Sequence, residues 1–158
     1  MAPRAPRRRA NRERMPAIEE VIVGGVLRAV VVRRGFQRPG VHFVTPPDWS
    51  QQVGYMSHPS GHQIPPHTHL PIHRDVRPTQ EVLIVRKGQL RVDFYGEGRI
   101  CLESRRLGDG DLIVLVSGGH GFEILADCEM IEIKPGPYSE SEDKIRFAPA
   151  NPNVDGRP

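Results

Sequence analysis

The amino-acid sequence predicts an all-β domain, a sandwich or barrel of the jelly-roll type. The chain has 158 residues, and its 16 glycines and 16 prolines separate short apolar runs along the whole length. Such punctuation is typical of many short strands joined by tight turns. No stretch of about twelve residues keeps the 3.6-residue apolar period of an amphipathic helix. The length fits a single domain with one hydrophobic core.

Turn residues divide the first half of the chain into predicted strands. Gly24 and Gly25 lie between two runs rich in β-branched residues, which is a hairpin signal. A Pro-Pro-Asp turn follows residue 45. The predicted strands in this half are residues 18–23, 26–32, 41–45, 51–57 and 63–69.

Glycine and aspartate separate the predicted strands of the second half. The clearest alternation is in residues 89–95, where apolar and polar side chains alternate as in a half-buried strand. By the same period of two, Glu81 shares a strand face with Leu83 and Val85. The predicted strands here are residues 81–87, 89–95, 99–107, 112–116, 121–125 and 129–134.

The ends of the chain differ in composition from the middle. Residues 1–14 hold six arginines and one glutamate, a charge of +5; because the whole chain carries +3, the remainder carries −2. We therefore expect a disordered basic tail (residues 1–15), one domain (16–148) and a flexible C-terminal tail (149–158). A nucleic-acid partner would depend on the basic tail alone, so none is expected for the folded part. Ile145 and Phe147 are expected to hold a strap against the domain.

Composition also bears on the compartment. No apolar stretch follows the N-terminal arginines, and no run of about 18 apolar residues is present to span a membrane. The two cysteines, Cys101 and Cys128, lie in separate strand-like runs and are interpreted as reduced thiols. These features predict a cytoplasmic protein without a membrane partner.

Three histidines and one glutamate form a candidate metal site. His67 and His69 stand two residues apart, so on an extended strand both imidazoles point to one face. Glu81 opens a predicted strand, and His120 lies in a glycine-flanked segment. Three imidazoles and one carboxylate suit one divalent transition metal per chain, namely Fe, Mn, Ni, Co or Zn, with positions open for water or substrate.

Two further sets of residues are candidates for catalysis and substrate binding. Eleven residues separate His69 from Glu81, and His73 among them is an alternative fourth ligand or a catalytic proton carrier, together with Tyr55. Arg74 and Arg77 lie in the same stretch. A pair of arginines matches carboxylate and phosphate groups, although a solvated loop explains these two residues equally well. The candidate substrate-binding residues are Arg74, Arg77, His62 and Phe122.

The candidate ligands lie in a pattern that resembles the two motifs of the cupin superfamily. Gly61, His67, His69, Glu81 and Gly88 match the first motif in order, with every spacing except that between His69 and Glu81, and the match is closest to germin-type cupins. The second motif is looser: Gly110, Gly118 and His120 match, Val116 stands where a proline is usual, and His120 comes one residue early. The similarity covers about residues 40–135.

The resemblance implies a cupin-type jelly-roll barrel, or double-stranded β-helix, with a metal near its axis. His67, His69, Glu81 and His120 would hold that metal, and cupins of this kind commonly form homodimers through edge strands. The later segments of the chain are also similar to small single-domain cupins of bacterial polysaccharide and nucleotide-sugar pathways.

These features predict an enzyme that uses a divalent metal as a Lewis acid. Polarising a carbonyl or hydroxyl of a small polar or sugar-derived substrate would support an isomerase, epimerase or lyase reaction. The first alternative is an Fe(II)-dependent dioxygenase with the same ligands. The second is a non-catalytic cupin that binds a small molecule. Ligand sets and folds do not choose among these chemistries.

Overall fold

The structure, a computed structural model, describes residues 16–137, 139 and 143–150. This part of the chain is all-β and contains one 3-10 turn, Glu97–Arg99. The predicted basic tail and residues 151–158 of the predicted C-terminal tail lie outside the described residues. The strands are β1 (Ile18–Val23), β2 (Val26–Val32), β3 (Gly40–Phe43), β4 (Gly54–Ser57), β5 (Glu81–Tyr95), β6 (Cys101–Gly108), β7 (Leu112–Leu115) and β8 (Gly119–Ile133).

The strands form two antiparallel sheets. The larger sheet has the order β1-β2-β7-β5-β6, and β8 pairs with β5 in addition. The smaller sheet contains β3 and β4 alone. The predicted Gly24-Gly25 hairpin is confirmed, because it joins the paired strands β1 and β2 and both glycines have positive φ.

Strand β5 is the centre of the larger sheet. Its first residues, 81–84, pair with β7 on one side, and residues 89–95 pair with β6 on that side. Strand β8 runs along the other side for almost the whole length of β5, so the two make a long ribbon. Two predicted strands merge into β5, and two others merge into β8.

Gly88 bends this ribbon. It has a φ of 90°, and a Cβ placed there would lie 1.9 Å from the carbonyl oxygen of Asp127 on β8. Only glycine fits that position without strain or collision. The register of the ribbon also shifts on both sides of Gly88. As a result, Val85 before the bend and Leu90 after it have opposite parity and still enter the same core.

One cluster of buried residues draws on β1, β2, β5, β6 and β7. Its aliphatic side chains come from alternating positions of each strand, which is how a sheet presents one face to a core. Phe94 is its largest member, at 1% exposure. The buried members are Val21, Val23, Ala29, Val31, Leu83, Val85, Leu90, Val92, Phe94, Leu107, Ile113 and Leu115.

The segment between β4 and β5 differs from its prediction. Residues 58–79, here called the loop segment, contain no strand, and every one of them is exposed. The predicted strand 63–69 is therefore wrong. Pro65 and Pro66 lie within it, and proline has no backbone N–H to give to a sheet.

Within the described residues, no helix is long and apolar enough to cross a membrane.

Candidate functional site

Two of the predicted ligand residues meet in the fold. Glu81 is the first residue of β5 and His120 the second of β8, and Nε2 of His120 lies 3.2 Å from Oε2 of Glu81. In the ribbon, however, the register partner of His120 is Phe94, which stands 13 positions after residue 81. A straight strand would separate those positions by about 43 Å. The contact therefore requires the ribbon to fold back on itself, and the bend at Gly88 is where it does so.

The environment of this Glu81–His120 pair keeps the carboxyl ionised. The pKa of Glu81 is below its ordinary value, chiefly because of the hydrogen bond with His120. Burial works in the opposite direction, and the charges of His120, Lys134 and Lys144 lower the pKa further. The Glu81 side chain is only 13% exposed, so little water competes for it. If Nε2 donates to this carboxylate, Nδ1 of a neutral His120 remains an acceptor.

The pair lines a cavity of about 560 Å³. This volume is within the range of small-molecule sites. Tyr95 and Phe122 contribute aromatic rings to the wall of the cavity, and the ring centroids of Phe122 and His120 lie 5.5 Å apart. Burial raises the pKa of the Tyr95 phenol, so this hydroxyl stays protonated and able to donate a hydrogen bond. The cavity thus combines one ionised carboxylate, one imidazole and an apolar wall.

Residues 143–150, here called the strap, contribute a further part of the cavity wall. The Phe147 ring packs edge-on against Tyr95 with centroids 5.3 Å apart, and the Arg99 guanidinium lies 5.5 Å from the Phe147 centroid. The backbone N–H of Ala150 donates to the carbonyl of Arg99 over 3.0 Å. Phe147 therefore holds the strap as predicted. The same prediction for Ile145 is wrong, because that side chain is 86% exposed.

The other two predicted ligands lie together on the loop segment. The rings of His67 and His69 are 5.1 Å apart, edge to face. Nδ1 of His67 is 3.0 Å from the carbonyl oxygen of Pro65. An imidazole that donates to a carbonyl through Nδ1 keeps the Nε2 lone pair for a metal, which is the usual arrangement of ligating histidines.

The two pairs are separate in this structure. His67 and His69 are not among the residues that line the cavity of Glu81 and His120. Across residues 16–137, 139 and 143–150, no three or more His, Cys, Asp or Glu side chains gather closely enough to hold one ion. The donor chemistry of each pair fits a divalent metal, and the four-ligand site stays a prediction.

The predicted catalytic and substrate residues are spread over three regions. Phe122 lines the cavity, as described above. Tyr55 lies on β4, where its ring packs edge-on against Phe36 with centroids 4.9 Å apart. The remaining predicted residues are on the exposed loop segment: His62 stacks on His58, Arg77 pairs with Asp75, and His73 and Arg74 are exposed.

Several cavity residues were not singled out from the sequence as part of the site. Tyr95, Lys144 and Arg146 all line it. A local signal exists only for the last two, because basic and apolar residues alternate in residues 144–147 as on an extended strand. Nothing local shows that this short alternation returns to β5 and β8.

The residues that bear on function are therefore those of the Glu81–His120 cavity, the strap along it and the His67–His69 pair. Comparison of the chain with protein-family models, with curated proteins and with solved structures gave no match.

Proposed function

We propose that the protein is a metal-dependent enzyme of the cupin type, acting on a small polar or sugar-derived molecule in an isomerase, epimerase or lyase reaction. The observation that carries this proposal is the contact between Glu81 and His120. These residues are 39 positions apart in the chain, come from different strands and meet at the wall of a small-molecule-sized cavity.

The proposed architecture is a jelly-roll barrel, the finer form of the antiparallel all-β fold. The support for it is the β5–β8 ribbon, which folds back so far that side chains from its two ends touch. Curled long ribbons of this kind are the building blocks of jelly rolls.

His67, His69, Glu81 and His120 are the residues that would hold one Fe, Mn, Ni, Co or Zn ion. The lowered pKa of Glu81 supports this assignment, because an ionised carboxylate is the form that ligates. The contact of His67 Nδ1 with Pro65 supports it as well, since it leaves Nε2 available. When bound, such an ion polarises a carbonyl or hydroxyl group and makes the adjacent carbon more acidic.

The residues of the chain would supply binding and proton transfer. Tyr95 offers a protonated hydroxyl, and Phe122 offers an apolar surface at the cavity wall. His73 and Tyr55 remain the proposed proton carriers, and Arg74, Arg77 and His62 the proposed substrate contacts. For these five, the proposal requires the loop segment and β4 to lie near the bound substrate.

A non-catalytic small-molecule-binding protein is the second candidate. The hydrogen bond between Glu81 and His120 gives each side chain a partner within the chain, and the cavity has aromatic walls suited to holding a ligand without transforming it. An Fe(II)-dependent dioxygenase is the third, since the proposed ligands leave adjacent positions open for substrate and dioxygen.

The oligomeric state and the compartment of the protein are also proposals. Strand β8 pairs with β5 on one side, and no described strand pairs with its other edge. That edge supports a homodimer formed through edge strands. Cys101 and Cys128 are both free thiols, which supports a reducing, cytoplasmic location.

Metal content tests the proposal directly. Elemental analysis of protein purified without added metal should give about one divalent ion per chain. His67→Ala, His69→Ala, Glu81→Gln and His120→Ala should each lose most of it, whereas His58→Ala, a histidine of the same loop segment, should not. Retention by Glu81→Gln together with loss by His73→Ala would make His73 the fourth ligand.

Turnover separates the candidates. Dioxygen consumption by the iron-loaded protein alone would identify a dioxygenase. If the wild-type protein carries no metal and binds a ligand unchanged after His67→Ala and His120→Ala, the enzyme proposal is wrong and the binding protein is correct.

A further inference from the structure

The strap is held at both ends, and its middle residues face the cavity. At one end the carboxylate of Asp143 lies 4.0 Å from Nζ of Lys134, which follows β8. At the other end Phe147 packs against Tyr95. Gly119 makes room for that ring, since a Cβ there would come within 3.0 Å of it. Lys144 and Arg146 lie between these anchors and line the cavity.

The acidic residues of the cavity wall lie close to basic side chains other than those of the strap. Glu81 contacts His120 at 3.2 Å. Glu132 and Asp143 lie 3.9 Å and 4.0 Å from the same ammonium group of Lys134. Each of these three carboxylates therefore has a polar partner other than Lys144 and Arg146.

Arg146 has no such neighbour among the described residues. It is an exposed residue that lines the cavity, and it makes no hydrogen bond or ion pair with any of them. Lys144 likewise forms no ion pair within 4.0 Å in the described part of the chain, and its charge acts on Glu81 only from a greater distance. Because residues two apart on an extended segment share a side, both cations can address one ligand group.

We propose that Arg146, assisted by Lys144, binds an anionic group of the small-molecule ligand, a carboxylate or a phosphate. This inference rests on the proposed function, in which the Glu81–His120 end of the cavity receives the remainder of that ligand. A guanidinium presents two parallel N–H donors, which match the paired oxygens of either anion. Lys144 adds a second, point-like charge.

The anchors explain why the strap suits this role. An arginine on a free chain end loses much conformational entropy when it binds a ligand. Arg146 directly precedes Phe147, whose ring is packed. The backbone hydrogen bond from Ala150 to Arg99 holds the chain that follows. Part of the ordering is therefore complete before the ligand arrives, which favours affinity.

Binding of three related probes tests the inference. Glucose 1-phosphate, glucuronate and glucose share a ring and differ in their anionic group. Calorimetric titration of the full-length protein as purified should show binding of at least one anionic probe and much weaker binding of glucose. The stronger anion identifies phosphate or carboxylate as the group recognised.

Substitution of Arg146 should act on the anionic probe alone. Arg146→Gln should weaken it about ten- to hundredfold, the effect of losing a charge-assisted bidentate contact. Arg146→Lys should recover part of that loss, and Lys144→Gln should weaken binding less than Arg146→Gln. Arg38→Gln, which removes the same charge from an exposed residue outside the cavity wall, should bind as wild type does.

The inference is overturned if neither anion binds the wild-type protein. It is equally overturned if Arg146→Gln binds like wild type, or if Arg38→Gln weakens binding as much. Metal content measured on the same samples keeps the two proposals apart. Wild type without metal that still loses anion binding on Arg146→Gln contradicts the metal-dependent enzyme and supports the anion site.

Discussion

At the scale of single residues, the described part of the chain buries one carboxylate and gives it hydrogen-bond partners. Asp93 is 8% exposed and is the only carboxylate among the buried described residues. It accepts hydrogen bonds from Arg91 Nε over 2.7 Å and from the Ser104 hydroxyl over 2.7 Å. The hydrogen bonds of Arg91, more than those of Ser104, hold the pKa of Asp93 below its ordinary value against the opposing effect of burial.

Asp93→Asn should lower stability in a pH-dependent way. Because the folded-state pKa of Asp93 is depressed, its contribution is present above the unfolded-state pKa and disappears as the pH falls through the folded-state pKa. We expect a loss of about 1 kcal/mol at pH 7, kept modest because Arg91 is 38% exposed. The variant and the wild type should converge only once the pH has fallen below the depressed folded-state pKa of Asp93.

Urea unfolding at several pH values measures this difference. Glu20→Gln, at an exposed position on β1, removes the same charge and should leave stability unchanged. A constant gap between Asp93→Asn and wild type down to pH 2 would contradict the assignment of the effect to ionisation.

The residues of the candidate site show what the sequence can and cannot predict at this scale. His67 and His69 were expected side by side, and they are; Glu81 and His120 were expected to meet, and they do. Arg146 was not singled out, because its place in the same cavity as Glu81 depends on how the strap returns to the sheet. Local periodicity reports which side chains share a face and says nothing about distant segments.

At the scale of elements, β5 and β8 decide the geometry of the site. Turn residues predicted most strands correctly, since glycine and aspartate mark real breaks such as Gly24-Gly25. The same reasoning placed a strand break at Gly88, where the structure has a bend within one continuous strand. A glycine with positive φ can serve as a turn or as a bulge, and the choice is made by the partner strand.

Gly88→Ala should lower the free energy of unfolding more than substitution of a positive-φ glycine that has free space around it. Its new Cβ would collide with the Asp127 carbonyl and would also force alanine into a φ of 90°. We expect a loss of about 3 kcal/mol or more in the free energy of unfolding. Thermal unfolding followed by circular dichroism measures it.

Gly25→Ala is the matched control. Gly25 also has positive φ, at 77°, but no atom lies within 4 Å of the added Cβ. Its substitution should cost only the backbone strain, about 1 kcal/mol. Equal losses at the two positions would show that the approach of Asp127 is unimportant and that the ribbon tolerates a wider bend.

At the scale of the whole molecule, β8 has one edge that no described strand pairs with, and the strand carries exposed isoleucines. On β8, Ile124, Ile131 and Ile133 are 53%, 44% and 47% exposed. An exposed apolar edge strand offers unpaired backbone groups and hydrophobic side chains to another chain. The proposed homodimer would cover both.

Ile131→Lys should weaken that dimer. A lysine at the covered edge would have to be buried without a partner, so the dissociation constant should rise at least about tenfold. Light scattering over a dilution series measures the assembly, with Val26→Lys at the β1–β2 hairpin as the matched control. A wild-type protein that is monomeric at every concentration would contradict the prediction.

Length, too, is constrained unevenly along this chain. Glu81 and His120 meet because a fixed number of residues separates Glu81 from the bend on β5, and a fixed number separates His120 from the same bend on β8. One inserted residue on either arm would displace a side chain by about 3.3 Å and turn it to the opposite face. Natural or engineered insertions should accumulate in residues 58–79, where no strand pairing fixes the backbone, and should be almost absent between residues 81 and 95.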